Sequence, residues 1–290
     1  MSKLEDLLLR QNGVITREQA VRCGLSDRTV SRRVAAGAWR TLYPGVFLVG
    51  GHRLTDAARV RAASLWGGPE AVVSGPAAAF WLRMTERFDG SVDLTVHSTT
   101  RRRPRPGVRV RRRDLRPADR VMVNGLAVTE PGLTALEAAA VLPDGVAFLD
   151  RVLQQHHVRF EHLHEAYCGA VGAHGMARAG VLLRECADRA DSRAERRLVR
   201  VLRRAGITGF VVGHPLGRMK IDIAFPDARL AIELDSWAWH TDHDRFEADR
   251  EKGNALTDAG WNLLRITWKE LTEHSDRVVA RVRSALLRAA

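Results

Sequence analysis

Four short apolar segments near the end of the chain, alternating with helical patterns, constrain its fold most strongly. The segments are FVVGH, MKIDIAF, RLAIELD and WNLLRITW. They follow SRAERRLVRVLRRAG, an amphipathic pattern that predicts a helix with Glu195 in its first turn. A polar helical pattern, DRFEADREKGNALTDAG, separates the third segment from the fourth. Strands that alternate with helices in this order predict an α/β sandwich over residues 191–290.

Acidic residues interrupt two of these apolar strands, and within each strand they share one face. Because side chains alternate along a strand, Asp222 lies on the same face as Lys220. In the next strand Glu233 and Asp235 share a face in the same way. If the two strands are neighbours, the three carboxylates converge at one end of the sheet, where Glu195 could also reach. The alternative is that the acids mark a solvated sheet face.

Converging carboxylates favour a metal site over the solvated face. Partly buried carboxylates repel one another and have raised pKa values unless a cation neutralises them. Oxygen ligands of this kind suit Mg²⁺ or Mn²⁺, which keep several waters and bind substrate phosphate. Such an ion activates a water molecule and stabilises charge on a scissile phosphate, as a nuclease requires.

The first fifty residues predict three helices followed by a hairpin. TREQ is a capping box in which Thr16 begins the second helix, and Ser26 caps a third helix that ends at Gly37. WRTLYPGVFLVGG then reads as two short strands that form a wing. This order predicts a winged helix-turn-helix over residues 1–50. The residues expected to face DNA are Arg28, Thr29, Arg32 and Arg33.

Residues 51–190 predict a mixed α+β region that contains a dense run of arginine. Helices are expected near 55–66 and 75–83, strands at VDLTVHS and GVRVRRRDL, and further helices from about residue 133. The run RRRPRPGVRVRRR has eight arginines in thirteen residues, with a turn at its centre. It is either a phosphate-binding ribbon or a solvated hairpin, and phosphate contact is favoured because such dense like charge needs counterions. The ribbon residues expected to contact DNA are Arg101, Arg102, Arg103, Arg111, Arg112 and Arg113.

Composition limits the class of protein. The formal net charge of +12 indicates a polyanionic partner, although a codon bias toward arginine could give the same total, since only four residues are lysine. No apolar run reaches membrane-spanning length and MSKLEDLLLRQNG is unlike a signal peptide, so a cytoplasmic protein is expected. Three scattered cysteines predict reduced, buried thiols and no structural zinc.

Two parts of the chain resemble known families. In order, Glu195, KIDIAF, ELD, a histidine five residues later, a basic helix and GWNLLRITW resemble the PD-(D/E)xK nuclease superfamily. Within it, residues 191–275 are most similar to a small uncharacterised bacterial domain related to very-short-patch mismatch repair endonucleases. Residues 1–50, including TLYPGVF, resemble the winged helix-turn-helix domain of abortive-infection antitoxins.

The resemblance implies roles for individual residues. Asp222 matches the first metal-binding aspartate, Glu233 matches the acidic member of the (D/E)xK pair, and Glu195 matches a helix glutamate that completes the shell. Asp235 stands where the superfamily usually has lysine, and His240 matches a histidine proposed as general base or proton relay. The missing lysine has three candidate replacements in this chain: Lys220, Arg250 and Lys252.

These patterns predict a multidomain α/β protein with domains at 1–50, 51–190 and 191–290. The expected function is a Mg²⁺- or Mn²⁺-dependent endonuclease that acts on double-stranded DNA, in which Asp222, Glu233 and Asp235 hold the metal. A homodimer is one expected assembly. The alternative is a DNA-binding regulator or antitoxin-like protein with an inactive nuclease domain and a partner toxin. RNA cleavage is a third and more distant possibility.

Overall fold

A computed structural model describes residues 2–86, 88–235 and 243–289, and it leaves out the side chains of residues 235 and 243–249. The chain divides into two compact units, Met1–Leu182 and Leu183–Ala290. Helices and mixed sheets occur in both, which confirms the predicted mixed α/β class. The finer division at residues 50 and 190 stays a prediction. In the described part of the chain, no helix combines the length and the hydropathy needed to cross a membrane.

The first unit begins with the three helices and the wing expected from the sequence. The elements are α1 (Lys3–Arg10), β1 (Val14–Thr16), α2 (Arg17–Arg22), α3 (Asp27–Ala35), β2 (Trp39–Tyr43) and β3 (Val46–Val49). The predicted caps are confirmed, since the hydroxyl of Thr16 accepts the Gln19 amide and that of Ser26 accepts the Thr29 amide. The short strand β1 was not predicted, and it gives the antiparallel sheet the order β1-β3-β2.

A small apolar core holds the winged helix together. Val30 of α3 is fully buried in it and Val34 packs against it, as their spacing of four residues predicts. The other buried members are Leu8, Ile15, Ala20, Trp39 and Phe47. A second group of wing residues, which includes Val46 and Leu48, joins the core of the next elements along the chain. The winged helix is therefore packed onto the region that follows it.

The middle of the first unit is built on a five-stranded sheet with the order β6-β5-β4-β8-β7. Its elements are α4 (Asp56–Gly67), β4 (Val72–Ser74), α5 (Gly75–Trp81), β5 (Val92–Val96), β6 (Val108–Arg112), β7 (Arg120–Val123) and β8 (Leu126–Thr129). β5 and β6 are parallel neighbours, so the alternative in which the arginine-rich run is a solvated hairpin is wrong, while phosphate contact by the run stays a prediction. Strands β4, β7 and β8 were not predicted, because each has only three or four residues.

Helices complete the first unit and lead into the second. They are α6 (Pro131–Ala139), α7 (Gly145–Gln154), α8 (Phe160–Ala170) and α9 (Met176–Arg204). Because α9 begins at Met176, Glu195 lies well inside this helix, and its predicted place in a first turn is wrong. None of the cysteines, all of which lie in the described part of the chain, forms a disulfide. Only Cys186 is buried, so the prediction of three buried thiols fails for Cys23 and Cys168.

The second unit is the predicted sandwich around a four-stranded sheet. The elements after α9 are β9 (Val211–Leu216), β10 (Met219–Phe225), β11 (Leu230–Asp235), α10 (His243–Asp258), β12 (Asn262–Thr267), α11 (Trp268–Glu273) and α12 (Ser275–Ala289). The sheet order is β12-β11-β10-β9, with β11 and β12 parallel and the other pairs antiparallel. α10 connects the parallel pair, as parallel strands require.

Both faces of this sheet are covered. One face carries buried residues such as Ile223 and Ile232, which share a core with Leu198 of α9 and Val282 of α12. On the other face the small residues Ala224 and Ala231 share a core with Leu256 of α10. Apolar burial on both faces fixes the register of β10 against β11, because a slip of one residue would exchange the two faces.

Candidate active site

The pairing of β10 with β11 changes at the acidic residues. Ladder pairing runs from Phe225 and Leu230 to Ile223 and Ile232. Beyond that point, the Asp222 amide donates a hydrogen bond to Oε1 of Glu233 at 3.3 Å. The Leu234 amide donates to Oδ2 of Asp222 at 2.9 Å. Each carboxylate is thus held by a backbone N–H of the neighbouring strand, which fixes both side chains at the same edge of the sheet.

A lysine from α10 completes this arrangement. Nζ of Lys252 donates a hydrogen bond to Oε2 of Glu233 and lies 3.7 Å from Oδ1 of Asp222. Leu256 is four residues further along α10, on the same face of the helix, and it packs in the sheet core with Ala224 and Ala231. The side chains of Lys252 and Glu233 are only 19% and 12% exposed. Packing of α10 on the sheet therefore presents an ammonium group to two partly buried carboxylates.

Burial and the charge of Asp222 together outweigh the effect of Lys252 on the Glu233 carboxylate. Burial and the nearby Asp222 carboxylate raise the pKa of Glu233 to about 7, although Lys252 and the Asp222 amide act in the opposite direction. The pKa of Glu195 is also raised, first by burial and second by Asp222. Glu195 therefore lies within the electrostatic range of Asp222, although no hydrogen bond joins them among the described contacts.

The structure brings some of the predicted site residues together, and others lie apart from them or outside the described residues. Asp222 and Glu233 meet as predicted, and Glu195 is near them. Lys220 is exposed, and among the described ion pairs the lysine that meets the carboxylates is Lys252. The backbone of Asp235 lies in β11 opposite Thr267. Its side chain and the whole of His240 lie outside the described residues.

The donor set suits a hard divalent cation. Among the described residues, no group of three His, Cys, Asp or Glu side chains is arranged to hold a metal. However, Mg²⁺ is usually bound by only one or two carboxylates, with water and substrate phosphate as the remaining ligands. Asp222 and Glu233 supply those two carboxylates. Burial and, second, the charge of Asp222 raise the pKa of Glu233, and a nearby cation would favour its ionised form. The residues present therefore fit a magnesium-type ion.

The predicted DNA-reading face of α3 is smaller than the sequence suggested. Arg28 and Arg32, four residues apart, are exposed on one side of the helix. Arg33 is half-buried, with its guanidinium 5.5 Å from the centre of the Trp39 ring. Thr29 is also half-buried, and its hydroxyl lies 2.9 Å from that of Ser26. Among these four residues, Arg28 and Arg32 are the ones that α3 presents to solvent.

The arginine-rich run is partly neutralised inside the protein. Asp93 of β5 has a side chain that is 0% exposed, and its carboxylate accepts bonds from Arg109 and Arg111 of β6. The three distances between guanidinium nitrogen and carboxylate oxygen are 3.0, 3.0 and 3.1 Å. This buried aspartate was not predicted, although its position in the apolar strand VDLTV is a sequence signal for an internal ion pair.

Other arginines of the run bind the protein's own carbonyl and carboxylate groups. Arg102 donates to the Trp66 carbonyl, Arg112 to those of Thr100 and Arg102, and Arg113 lies 3.5 Å from Glu137. Three further arginines are exposed: Arg101, Arg103 and Arg105. Arg109 and Arg112 of β6 are exposed as well, so the exposed arginines of the run that make no described side-chain bond are those in the crossover before β6.

Three family models of known proteins each match one part of the chain. Residues 195–286 match a restriction-endonuclease-like family model named REase_MTES_1575. Residues 2–50 match a model described as "Transcriptional regulator, AbiEi antitoxin", and residues 82–185 match one described as "AbiEi antitoxin C-terminal domain". No one of these models covers half of the chain.

Two relatives come from Mycobacterium tuberculosis. They are the uncharacterized proteins MT2308, of strain CDC 1551 / Oshkosh, and Rv2248, of strain ATCC 25618 / H37Rv. Each is 29% identical over 233 residues, which are 77% of this chain and 83% of the relative. The family-model matches confirm the resemblance of the C-terminal part to nucleases and that of the N-terminal part to abortive-infection antitoxins. The chain joins regions of the AbiEi antitoxin type to a C-terminal domain of the restriction-endonuclease-like type.

Proposed function

We propose that this protein is a divalent-metal-dependent DNA endonuclease whose N-terminal winged helix directs it to DNA. The observation that carries the proposal is the meeting of Asp222, Glu233 and Lys252 at one edge of the sheet. Two carboxylates and an ammonium group in a partly buried position are suited to hydrolysis of a phosphodiester. The match to a restriction-endonuclease-like family model supports the same assignment.

Each residue of the site has a distinct role in this proposal. Asp222 and Glu233 hold Mg²⁺ or Mn²⁺, and a bound ion of this type supplies an activated water and stabilises charge on the scissile phosphate. Lys252 is positioned to bind a phosphate oxygen and replaces the lysine that the (D/E)xK pattern places at residue 235. Glu195 adds negative charge at the margin of the site. The roles of Asp235 and His240 rest on the family resemblance.

The arginines supply affinity for the duplex. Arg28 and Arg32 on α3 are exposed and spaced to enter a groove or contact adjacent phosphates. Arg101 and Arg103, with Arg105 beside them, add sequence-independent contacts. Arg102, Arg111, Arg112 and Arg113 are engaged with the protein itself, so we assign them a smaller share of DNA binding.

A second candidate function is a DNA-binding regulator or antitoxin with an inactive nuclease domain. The description of the N-terminal match as an AbiEi antitoxin and transcriptional regulator favours it. In that case the ion pair between Lys252 and Glu233 would be purely structural, and the chain would have DNA and a toxin as partners.

Incubation with supercoiled plasmid separates the two candidates. Wild-type protein and Glu233→Gln, which keeps the shape of the side chain, would each be tested with Mg²⁺, with Mn²⁺ and with chelator, on unmodified, methylated and mismatched DNA. An endonuclease gives metal-dependent nicking that Glu233→Gln loses, while binding to duplex DNA is unchanged. A regulator binds all these DNAs equally well with chelator, and neither protein cuts.

A further inference from the structure

A cleft of about 590 Å³ lies in the first unit, between α1 and the turn that joins β7 to β8. Its volume is in the range of about 300–1,000 Å³ that is usual for sites of small organic ligands. The lining residues include Leu7, Arg10, Asn12, Arg61, Trp81 and Asn124. Two of them are arginines and none is acidic. The charge of the lining is therefore entirely positive.

Arg61 of α4 is the most unusual residue of this cleft, because only 4% of it is exposed. Its two terminal nitrogens each donate to a carbonyl at 2.7 Å, one to Gly125 and the other to Asn124. The guanidinium also lies 5.0 Å from the centre of the Trp81 ring. Its Nε is buried and has no hydrogen-bond partner among the described residues. The side chain is therefore fixed in place by two hydrogen bonds, with its Nε–H unpaired among the described residues.

Within the part of the chain that the structure describes, the positive charge of this cleft has no acidic partner. In the described part of the chain, no carboxylate lies within ion-pair distance of Arg61 or Arg10. A buried guanidinium is normally balanced by a carboxylate or another anion, because removing it from water is costly. Two carbonyl dipoles offset that cost only in part. An anion from outside the protein would complete the balance.

The rest of the lining indicates an organic anion rather than a bare ion. Leu7 and Trp81 give the cleft an apolar side. Asn12 and Asn124 are exposed, and both have the left-handed backbone conformation, with φ of 56° and 51°. Their side-chain amides can donate hydrogen bonds to an acidic group of a ligand. Apolar side chains with a few polar groups are the usual lining of a small-molecule site, and here the only charged groups of the lining are arginines, which suit an acidic ligand.

We propose that this cleft binds a small organic anion. Arg61 and Arg10 hold its phosphate or carboxylate group, and its apolar part lies against Leu7 and Trp81. Because α1 belongs to the winged helix while Arg61 and Asn124 belong to the elements that follow, the ligand would bridge the winged helix and the five-stranded sheet. The proposal is independent of the nuclease assignment, since it uses no residue of the second unit.

Calorimetric titration of the full-length protein tests the proposal with three probes. Phenyl phosphate and benzoate represent the two acidic groups, and benzyl alcohol is the neutral control. The two test variants are Arg10→Gln, at an exposed position, and Asn124→Asp, which keeps a residue that tolerates the left-handed turn and adds a negative charge. Arg22→Gln, on the exposed surface of α2, is the matched control.

We expect one or both anions to bind wild type and Arg22→Gln equally, and to bind each test variant about tenfold more weakly. The stronger anion identifies the acidic group. The proposal is overturned if neither anion binds at millimolar concentration. Equal binding by the test variants, or equal binding of benzyl alcohol, would overturn it as well. Circular dichroism of each variant confirms that a loss of binding is not a loss of folding.

Discussion

The carboxylate of Glu233 accepts the backbone N–H of Asp222, and the carboxylate of Asp222 accepts the N–H of Leu234, the residue after Glu233. The two acids therefore bind across β10 and β11 in place of regular ladder bonds. Such bonds, together with the Lys252 ammonium group, hold both carboxylates in position. A site held in this way needs little reorganisation when a metal or a phosphate binds, which is what catalysis by electrostatic stabilisation requires.

Replacing Lys252 should remove cleavage, whereas replacing Lys220 should not. Lys252 is the described lysine that contacts Asp222 and Glu233, so Lys252→Met removes the positive charge of the site. We expect the cleavage rate to fall by about 100-fold or more, with unchanged binding to duplex DNA. Lys220→Met, at an exposed position on the same strand as Asp222, is the control. The assignment is wrong if the two variants lose activity in the reverse order.

The sequence predicted the two acids of this site better than it predicted the lysine. Alternation assigned each acid to one face of its own strand, because strand periodicity is a local property, and the meeting of Asp222 with Glu233 then needed only the assumption that β10 and β11 are neighbours. Which residue of α10 faces them depends on how that helix rotates when Leu256 packs on the sheet. This is a tertiary effect, so the sequence could not separate Arg250 from Lys252. The small residues Ala224 and Ala231 gave no sign of where the helix would pack.

The partners of the arginine-rich run were also beyond prediction from local sequence patterns, because they lie further away along the chain. Its charge density was evident from the sequence, but its main internal partner, Asp93, lies 16 residues before Arg109. Their contact depends on the parallel pairing of β5 with β6, which no local pattern specifies. Strand β4 has only three residues, which is too short for its pattern to be recognised in the sequence. The five-stranded sheet that contains β5 and β6 was therefore not predicted.

Asp93→Asn should destabilise the first unit. The substitution keeps the size of a fully buried side chain but removes the charge that binds Arg109 and Arg111. Breaking a buried ion pair costs about 3–5 kcal/mol, and we expect about 2 kcal/mol here because both arginines can turn toward solvent. Urea unfolding measures the change. Asp114→Asn, in an exposed pair with His97, is the control and should shift the midpoint far less. Equal shifts would show that the buried position of Asp93 is unimportant.

Metal binding should strengthen as pH rises toward 7. Because the pKa of Glu233 is about 7 rather than the usual 4.5, a proton occupies this carboxylate at lower pH and competes with the cation. The affinity for Mn²⁺ should therefore increase from about pH 5.5 to about pH 7 and then level off. Calorimetric titration with Mn²⁺ at several pH values measures this, with Glu233→Gln as the comparison. An affinity that stays constant below pH 7 would contradict the role of Glu233 as a ligand.

DNA binding should lose part of its salt dependence when Arg28 and Arg32 are replaced. Each exposed arginine that contacts a phosphate releases counterions, so the slope of log affinity against log salt should decrease by about one per residue, or about two for the double alanine variant. Fluorescence anisotropy with a labelled duplex, over a range of salt concentrations, gives this slope. Arg288→Ala, in the last turn of α12, is the control. An unchanged slope in the double variant would mean that α3 does not contact phosphate, and the winged helix would then act through a protein partner.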